Sequence, residues 1–267
     1  MQVPLFINCR ERVTPLADLV SWLEQAGCEE IYLLDNDSTY EPLLEYYERT
    51  PHTVIRLGQN WGPFSLWAAP AVFDLTRGRS YVYTDPDIVP SEECPHDALD
   101  RFDELLRRFP RVHKAGFGLR IDDIPDHYLH KAAVLAWEGQ HWRWPVQDGA
   151  FFSAIDTTFA LYRPNSHYRP ADAIRTGHPY VARHVPWYAD LENLSEEERF
   201  YQARGGATHQ WNTHTLPEWL TTAVEGLASN RPSRPRRVVR RAKMFVRLHW
   251  TIRGRRLIPR RRAPEAG

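Results

Sequence analysis

Cysteine is scarce in this 267-residue chain: Cys9, Cys28 and Cys94 stand far apart, with no C-x-x-C pair. An odd, sparse set excludes a disulfide scaffold and a cysteine zinc site, and fits a reducing compartment. Long apolar runs are missing too. The most apolar stretch, residues 66–73, contains Pro70 and is far short of the roughly 20 residues that a bilayer span needs. The N-terminus has no basic region followed by an apolar core, so no signal peptide is expected. There is no internal repeat and no long low-complexity linker. Net charge is absent as well, 34 Lys+Arg balancing 34 Asp+Glu. That balance hides two unlike parts. Residues 231–267 hold thirteen Arg and Lys243 against one acid, Glu265, a net +13, which leaves −13 on the first 230 residues. Such a dipole suggests an acidic globular body with a basic tail that meets an anionic partner.

What is present is a core. At 42% hydrophobic and 12% aromatic residues, the body is not a disordered chain. The first half alternates short apolar strands, at residues 3–8, 31–34, 53–57 and 81–84, with helical patterns at 14–27, 42–49 and 65–75. Alternation of this kind predicts a mostly parallel sheet with flanking helices and right-handed crossovers. The second half is less regular, with strands expected at 114–121 and 151–162 and helices around 127–138 and 190–203. Composition breaks near residue 230, which gives two units: residues 1–228 as the α/β body, and residues 229–267 as a basic amphipathic tail.

In parallel sheets ligands gather at the carboxyl ends of strands, and every early strand here ends in polar groups. Asn8, Arg10 and Arg12 follow the first, Asp35, Asn36 and Ser38 the second, Asn60 the third, and Asp85-Pro86-Asp87 the fourth. In an extended chain residues i and i+2 project to the same side. Asp85 and Asp87 can therefore face one ligand, and two adjacent carboxylates call for a cation between or beside them. Hard Mg²⁺ or Mn²⁺ fits such oxygen donors and bridges to a diphosphate. A bare D-x-D carries little, since Asp35-Asn36-Asp37 is another; the apolar strand before it gives it weight.

The segment Tyr81-Val-Tyr-Thr-Asp-Pro-Asp-Ile-Val-Pro90 resembles the D-x-D segment of GT-A fold glycosyltransferases, the nucleotide-diphospho-sugar transferase superfamily, family 2-like, over roughly residues 3–212. The resemblance implies a Rossmann-like α/β fold. It implies Asn8, Arg10, Arg12, Asp35, Asn36, Ser38, Asn60 and Asp85 as nucleotide contacts, and Mn²⁺ or Mg²⁺ on Asp85 and Asp87. His184, ahead of Pro186-Trp187, is similar in type and chain order to a late histidine that completes the metal site in some of these enzymes. The chain departs from that form in lacking a Lys before the Pro-Trp pair. Residues Asp35 to Thr39 also read as a simple turn and helix cap.

An inverting transfer needs a carboxylate to take the acceptor proton. Asp148, before Gly149, and Asp156, which interrupts an apolar run, are the candidates; a charge at 156 needs partners, which Thr157 and Thr158 could supply. Trp142, Trp144 and Trp187 are candidates for the acceptor or sugar side, with core or lid packing as the other reading. In the tail, Arg236, Arg240, Lys243 and Arg247 follow helical spacing among apolar residues. That pattern suits an anionic membrane surface, with docking on protein or nucleic-acid binding as alternatives.

The expected function is metal-dependent transfer of a sugar from a UDP- or GDP-type donor to a hydroxyl-bearing glycan or lipid-linked acceptor, in glycan, glycolipid or cell-envelope synthesis. The expected location is cytoplasmic, peripheral at the inner face of the membrane. A nucleotidyltransferase of the same fold would want a glycine-rich loop after the first strand, and Arg10-Glu11-Arg12 has no glycine. The remaining alternative is a non-catalytic adaptor acting through the tail.

Overall fold

The computed structural model describes residues 2–204 and 211–229. Its strands are β1 (Leu5–Cys9), β2 (Ile31–Asp35), β3 (Thr53–Arg56), β4 (Tyr81–Thr84), β5 (Ile88–Pro90), β6 (Lys114–Gly116), β7 (Gly118–Leu119), β8 (Ala150–Phe152), β9 (Ala160–Tyr162), β10 (Ala173–Thr176) and β11 (Val181–His184). Its helices are α1 (Thr14–Gln25), α2 (Glu41–Arg49), α3 (Ser65–Ala68), α4 (Pro70–Phe73), α5 (Ala98–Arg108), α6 (Lys131–Glu138), α7 (Glu196–Arg204) and α8 (Glu218–Ser229).

Eight strands form the main sheet in the order β3-β2-β1-β4-β9-β6-β10-β8, and β5-β11-β7 form a smaller one. In the main sheet β8 and β9 run against the other six, so the sheet is mostly parallel, as expected of a Rossmann-like α/β fold. β1 and β4 lie in its interior and are buried on both faces, which is why they read as continuous apolar runs. Their side chains alternate between two cores. Leu5, Ile7 and Val82 join α1 and α5 on one side; Phe6, Tyr81 and Tyr83 join Leu66 and Tyr162 on the other.

Several boundaries differ from the sequence reading, each for a local reason. The helix expected over 65–75 breaks at Ala69, whose φ of −107° and ψ of 89° are non-helical, because a residue before proline is pushed out of the α region. The strand expected over 114–121 is two strands in different sheets. They part at Phe117, between two glycines packed so tightly that a Cβ on Gly116 would strike the Phe159 carbonyl and one on Gly118 the Thr176 carbonyl. The strand expected over 151–162 is likewise two, β8 and β9, with residues 153–159 looping out between them. α6 and α7 start later than expected, at Lys131 and Glu196. The tail expected at 229–267 lies, from residue 230 on, outside the described residues. Among those described, no helix is long and apolar enough to cross a membrane.

α7 is fixed to the body through the start of α1. Val13, the residue before that helix, offers no side-chain cap. Glu197 supplies one from across the fold: its Oε1 accepts from the backbone N–H of Val13 (2.5 Å) and Thr14 (3.0 Å), and its Oε2 from the Thr14 hydroxyl (2.5 Å). A carboxylate here satisfies orphan donors and meets the positive end of the helix dipole. Glu197→Ala should therefore cost about 1–2 kcal/mol, the usual size of a lost cap. Urea unfolding checks this; an unchanged midpoint would show that the cap contributes nothing.

Candidate functional site

The chain steps outward from β1 through β2 and β3, then returns to lay β4 on the other side of β1. That reversal is a topological switch point, where the carboxyl ends of two neighbouring strands splay apart and leave a crevice. A cleft of about 240 Å³ lies there. Asn8, Arg10 and Arg12 from the end of β1, Asn36 from β2, Asn60 and Gly62 from the β3 loop, and Asp85, Pro86 and Asp87 from β4 line it. Asp156, Thr157, His184, Tyr201, Trp211 and Asn212 complete the wall.

The amide-bearing residues build one side. Asn8 Nδ2 and Asn36 Nδ2 both donate to the Gly62 carbonyl (3.2 and 2.9 Å), and the Trp61 N–H donates to Asn36 Oδ1 (2.6 Å). Gly62 has a φ of +69°, a conformation that glycine adopts without penalty. Arg10 donates to the Asn36 carbonyl (2.9 Å) and the Arg204 carbonyl (3.1 Å), which leaves its Nε buried and unpartnered.

The acidic pair builds the floor. Asp85 Oδ2 accepts from the Thr157 hydroxyl (2.6 Å). Burial and then the neighbouring Asp87 push the Asp85 carboxyl well above the usual carboxylate range. Asp87 Oδ2 accepts from Arg12 Nη1 (2.7 Å) and stands 3.7 Å from His184 Nε2. His184 arrives from far along the chain because β11 pairs antiparallel with β5, His184 opposite Ile88, while the Val185 N–H donates to the Asp87 carbonyl (2.9 Å). Burial lowers the His184 pKa and favours the neutral ring; its Nδ1 is buried without a partner.

Arg12 is a wall residue whose three guanidinium nitrogens each donate to a carboxylate. Its Nε and Nη2 grip Glu198 of α7 (2.7 and 2.9 Å), and its guanidinium lies 3.7 Å from the Tyr201 ring centroid. It lines the cleft as a buried ion-pair residue. Asp35 and Ser38 are corrected, since neither lines the cleft. Asp35 accepts from the Ser38 N–H (3.1 Å) and from Arg56 (2.9 Å), and the Ser38 hydroxyl accepts from the Glu11 N–H (3.3 Å). They brace the loop that presents Asn36.

The two candidate bases separate. Asp156 is exposed at the cleft, with Oδ1 accepting from the Tyr168 hydroxyl (2.5 Å). Its carbonyl accepts from Lys114 Nζ (2.9 Å), a buried ammonium whose pKa burial lowers to about 7. Asp148 lies elsewhere, in a separate depression of about 200 Å³ with Arg101, Thr176 and His178. The three tryptophans are away from the cleft wall too. Trp142 packs edge to face on Phe151 (4.9 Å), the Trp144 carbonyl accepts from the Phe152 N–H, and Trp187 is buried behind His184 (4.8 Å). Tyr201, Trp211 and Asn212 were not singled out from sequence. Nothing short of the α7 docking contacts marks them.

Among the described residues no three His, Cys, Asp or Glu side chains form a preassembled metal-ligand group. Asp87 Oδ2 and His184 Nε2 are nonetheless close enough to share an ion, beside Asp85, a carboxylate that pairs with no Arg or Lys among the described residues. Mg²⁺ typically binds one or two carboxylates plus substrate phosphates and water, and this donor set fits that use.

No protein-family profile matches the chain, and no curated protein matches it in sequence. Among solved structures it is similar to a cytidylyltransferase from Leptospira borgpetersenii serovar Hardjo-bovis (strain JB197), at 15% identity and a TM-score of 0.34. That match takes in 46% of this chain and 56% of the other, so the chain spans little more than half of that protein. It is also similar to a mycobacterial protein, at 12% identity and a TM-score of 0.42, over 81% of this chain and 76% of the other. Likenesses of this size are too weak to identify a function.

The raised Asp85 carboxyl has a consequence for stability. A group whose folded pKa exceeds its unfolded value holds its proton in the folded state. Its contribution is full below the ordinary carboxylate range and is lost as pH rises through the raised value. Asp85→Asn should therefore raise the melting temperature of the metal-free protein at neutral pH and flatten its decline from acid to neutral pH. Melting curves that coincide with wild type across that range would contradict this.

Proposed function

We propose that the protein is a metal-dependent glycosyltransferase that moves a sugar from a nucleotide-diphosphate donor to a hydroxyl acceptor. One observation carries this reading: Asp85, Asp87 and His184 stand together at the carboxyl end of β4, at the switch point, facing Asn8, Asn36 and Asn60 from the ends of the three neighbouring strands.

The Asn60 amide and the second Nδ2 hydrogen of Asn36 would meet a base or ribose, and Arg10 brings a cation to the cleft. Asp87 and His184 would hold Mn²⁺ or Mg²⁺, with Asp85 beside them. When bound, the ion neutralises charge on the departing diphosphate. Asp156 is the carboxylate placed to meet the donor sugar or to take the proton of the acceptor hydroxyl; Asp148 is too far round the fold to share that task. Tyr168 and Lys114 hold the Asp156 side chain and backbone in place. An acceptor joined to a glycan or a lipid suits an exposed carboxylate at the cleft mouth.

The segment after β1 favours this reading over nucleotidyl transfer. It has no glycine, Glu11 itself takes a φ of +53°, and the Glu11 carboxylate is engaged by the Thr39 and Tyr40 N–H groups (both 2.8 Å). The Glu11 N–H is itself taken by the Ser38 hydroxyl (3.3 Å).

Isothermal titration with UDP, GDP and dTDP, with and without Mn²⁺, tests the proposal. At least one nucleotide should bind in an ion-dependent way, and an Asp85→Asn/Asp87→Asn variant should lose that binding by about tenfold or more, the size of one lost charge-assisted contact. Ion-independent binding, or a double variant that binds as wild type does, would sink the reading. A hydrolysis screen over UDP-, GDP- and dTDP-sugars then names the donor.

A further inference from the structure

Two large aromatic residues line the cleft beyond its amides and its acidic pair: Tyr201 of α7, and Trp211. The Tyr201 ring is covered by the Arg12 guanidinium at 3.7 Å. Trp211 is half-buried, and the Trp187 ring meets it edge to face at 6.1 Å. Trp187, which serves packing, is 2% exposed and does not line the cleft. The residue after Trp211 belongs to the same wall. Asn212 is 1% exposed, and its Nδ2 donates to Glu198 Oε2. A carboxylate accepts only from the nitrogen end of an amide, so Glu198 fixes which end of Asn212 is the oxygen. That oxygen, Oδ1, is buried without a partner. A buried acceptor left unmet is costly, and a ligand that brings a hydroxyl would meet it.

Both side chains sit on a segment that is clamped in place. Three successive carbonyls are engaged: that of Trp211 by the Tyr128 hydroxyl (2.6 Å), that of Asn212 by Gln202 Nε2 of α7, and that of Thr213 by His130 Nε2, 2.6 Å away. A wall held from several elements presents its side chains in a fixed geometry, as a binding site needs. Trp211 also stands one ring beyond His184, because Trp187 touches both, at 4.8 Å from the His184 ring and 6.1 Å from that of Trp211. We propose that Trp211 and Asn212 form the subsite for the sugar of the donor. The indole packs on the apolar face of the sugar ring, and Asn212 Oδ1 accepts from one of its hydroxyls. The inference deepens the glycosyl-transfer reading and rests on it.

The chemistry of the wall selects a sugar over the other parts of the substrates. A sugar ring carries C–H groups on its face and hydroxyls around its edge, so it suits an apolar ring beside a hydrogen-bond acceptor. An ionised diphosphate has no hydrogen to give, and would leave Asn212 Oδ1 unmet. A nucleobase can stack on an indole, but a base on Trp211 would forgo the amides of Asn36 and Asn60, which belong to another wall of the cleft. The hydroxyl acceptor falls to Asp156, the carboxylate exposed at the cleft. A donor with its base at those amides and its diphosphate beside Asp87 and His184 has its sugar left to place, and Trp211 and Asn212 are the wall that remains.

The test is calorimetric titration of the full chain, with Mn²⁺ present, by matched pairs of ligands: UDP with UDP-glucose and UDP-N-acetylglucosamine, GDP with GDP-mannose, and dTDP with dTDP-glucose. For the pair that wild type binds, Trp211→Ala should weaken the nucleotide sugar about tenfold, as expected for a lost aromatic contact. Asn212→Ala should weaken it about fivefold, the size of one hydrogen bond. The parent nucleotide should bind both variants as it binds wild type, which also shows that the cleft has folded. Trp211→Phe, which keeps a ring, should restore most of the affinity for the nucleotide sugar. If wild type binds none of the three nucleotides, the glycosyl-transfer reading fails and takes this inference with it. If a nucleotide does bind, three results overturn the inference alone: wild type binds none of that nucleotide's sugars, both alanine variants bind the sugar form as wild type does, or they lose nucleotide and nucleotide sugar equally, which would put the base or the ion at this wall.

Discussion

The cleft depends on one buried guanidinium. Arg12 reaches Asp87 with one nitrogen and Glu198 with two, and Tyr201 covers its face. Burial works against its charge, but Asp87 and Glu198 outweigh that cost and hold Arg12 ionised. These contacts join the end of β4, the start of α1, and α7, which are distant in sequence. Breaking such a buried pair costs about 3–5 kcal/mol, because the partner is left charged and unpaired. Glu198 is engaged further by the Asn212 side-chain amide, so the same centre sets one whole wall of the cleft.

Charge accounting around that centre is what supports the proposed cation. Arg12 is paired with two carboxylates, and among the described residues Asp85 receives hydroxyl and amide donors. Asp156 adds a further acid at the rim, with a tyrosine hydroxyl on its side chain. A cleft with more carboxylates than cations favours either protonation or an incoming positive ion. The neutral His184 ring beside Asp87 suits the second outcome, as would the proposed diphosphate donor with its own ion.

Much of this was legible in the sequence. Strand and helix periods placed β1 to β4 within a residue or two, and polar groups after each strand fell at the switch point because parallel sheets put all those ends on one edge. Asp85, Asp87, His184, Asn8, Asn36, Asn60, Arg10 and Asp156 accordingly meet in one cleft. What the sequence hides is the partner that each side chain finds in space. Arg12 reads as a free cation until Glu198 arrives on α7, and Asp35 reads as a ligand until Arg56 and Ser38 claim it. Asp148 sits before a glycine, as a site residue well could, but β8 lies at the far edge of the sheet. Trp142 and Trp187 take the packing role that their sequence also allowed, because ring type says nothing about which wall a ring faces. Gly116 and Gly118, where one expected strand divides between two sheets, carry their signal only once the backbones they touch are known.

Anomalous scattering from a crystal grown with Mn²⁺ and UDP would test the central claim most directly. A single manganese peak in the cleft, in contact with Asp87, His184 and the diphosphate oxygens, with the uracil near Asn36 and Asn60, is the predicted result. A nucleotide bound elsewhere on the molecule, or a cleft that holds no manganese while UDP is bound in it, would contradict the account.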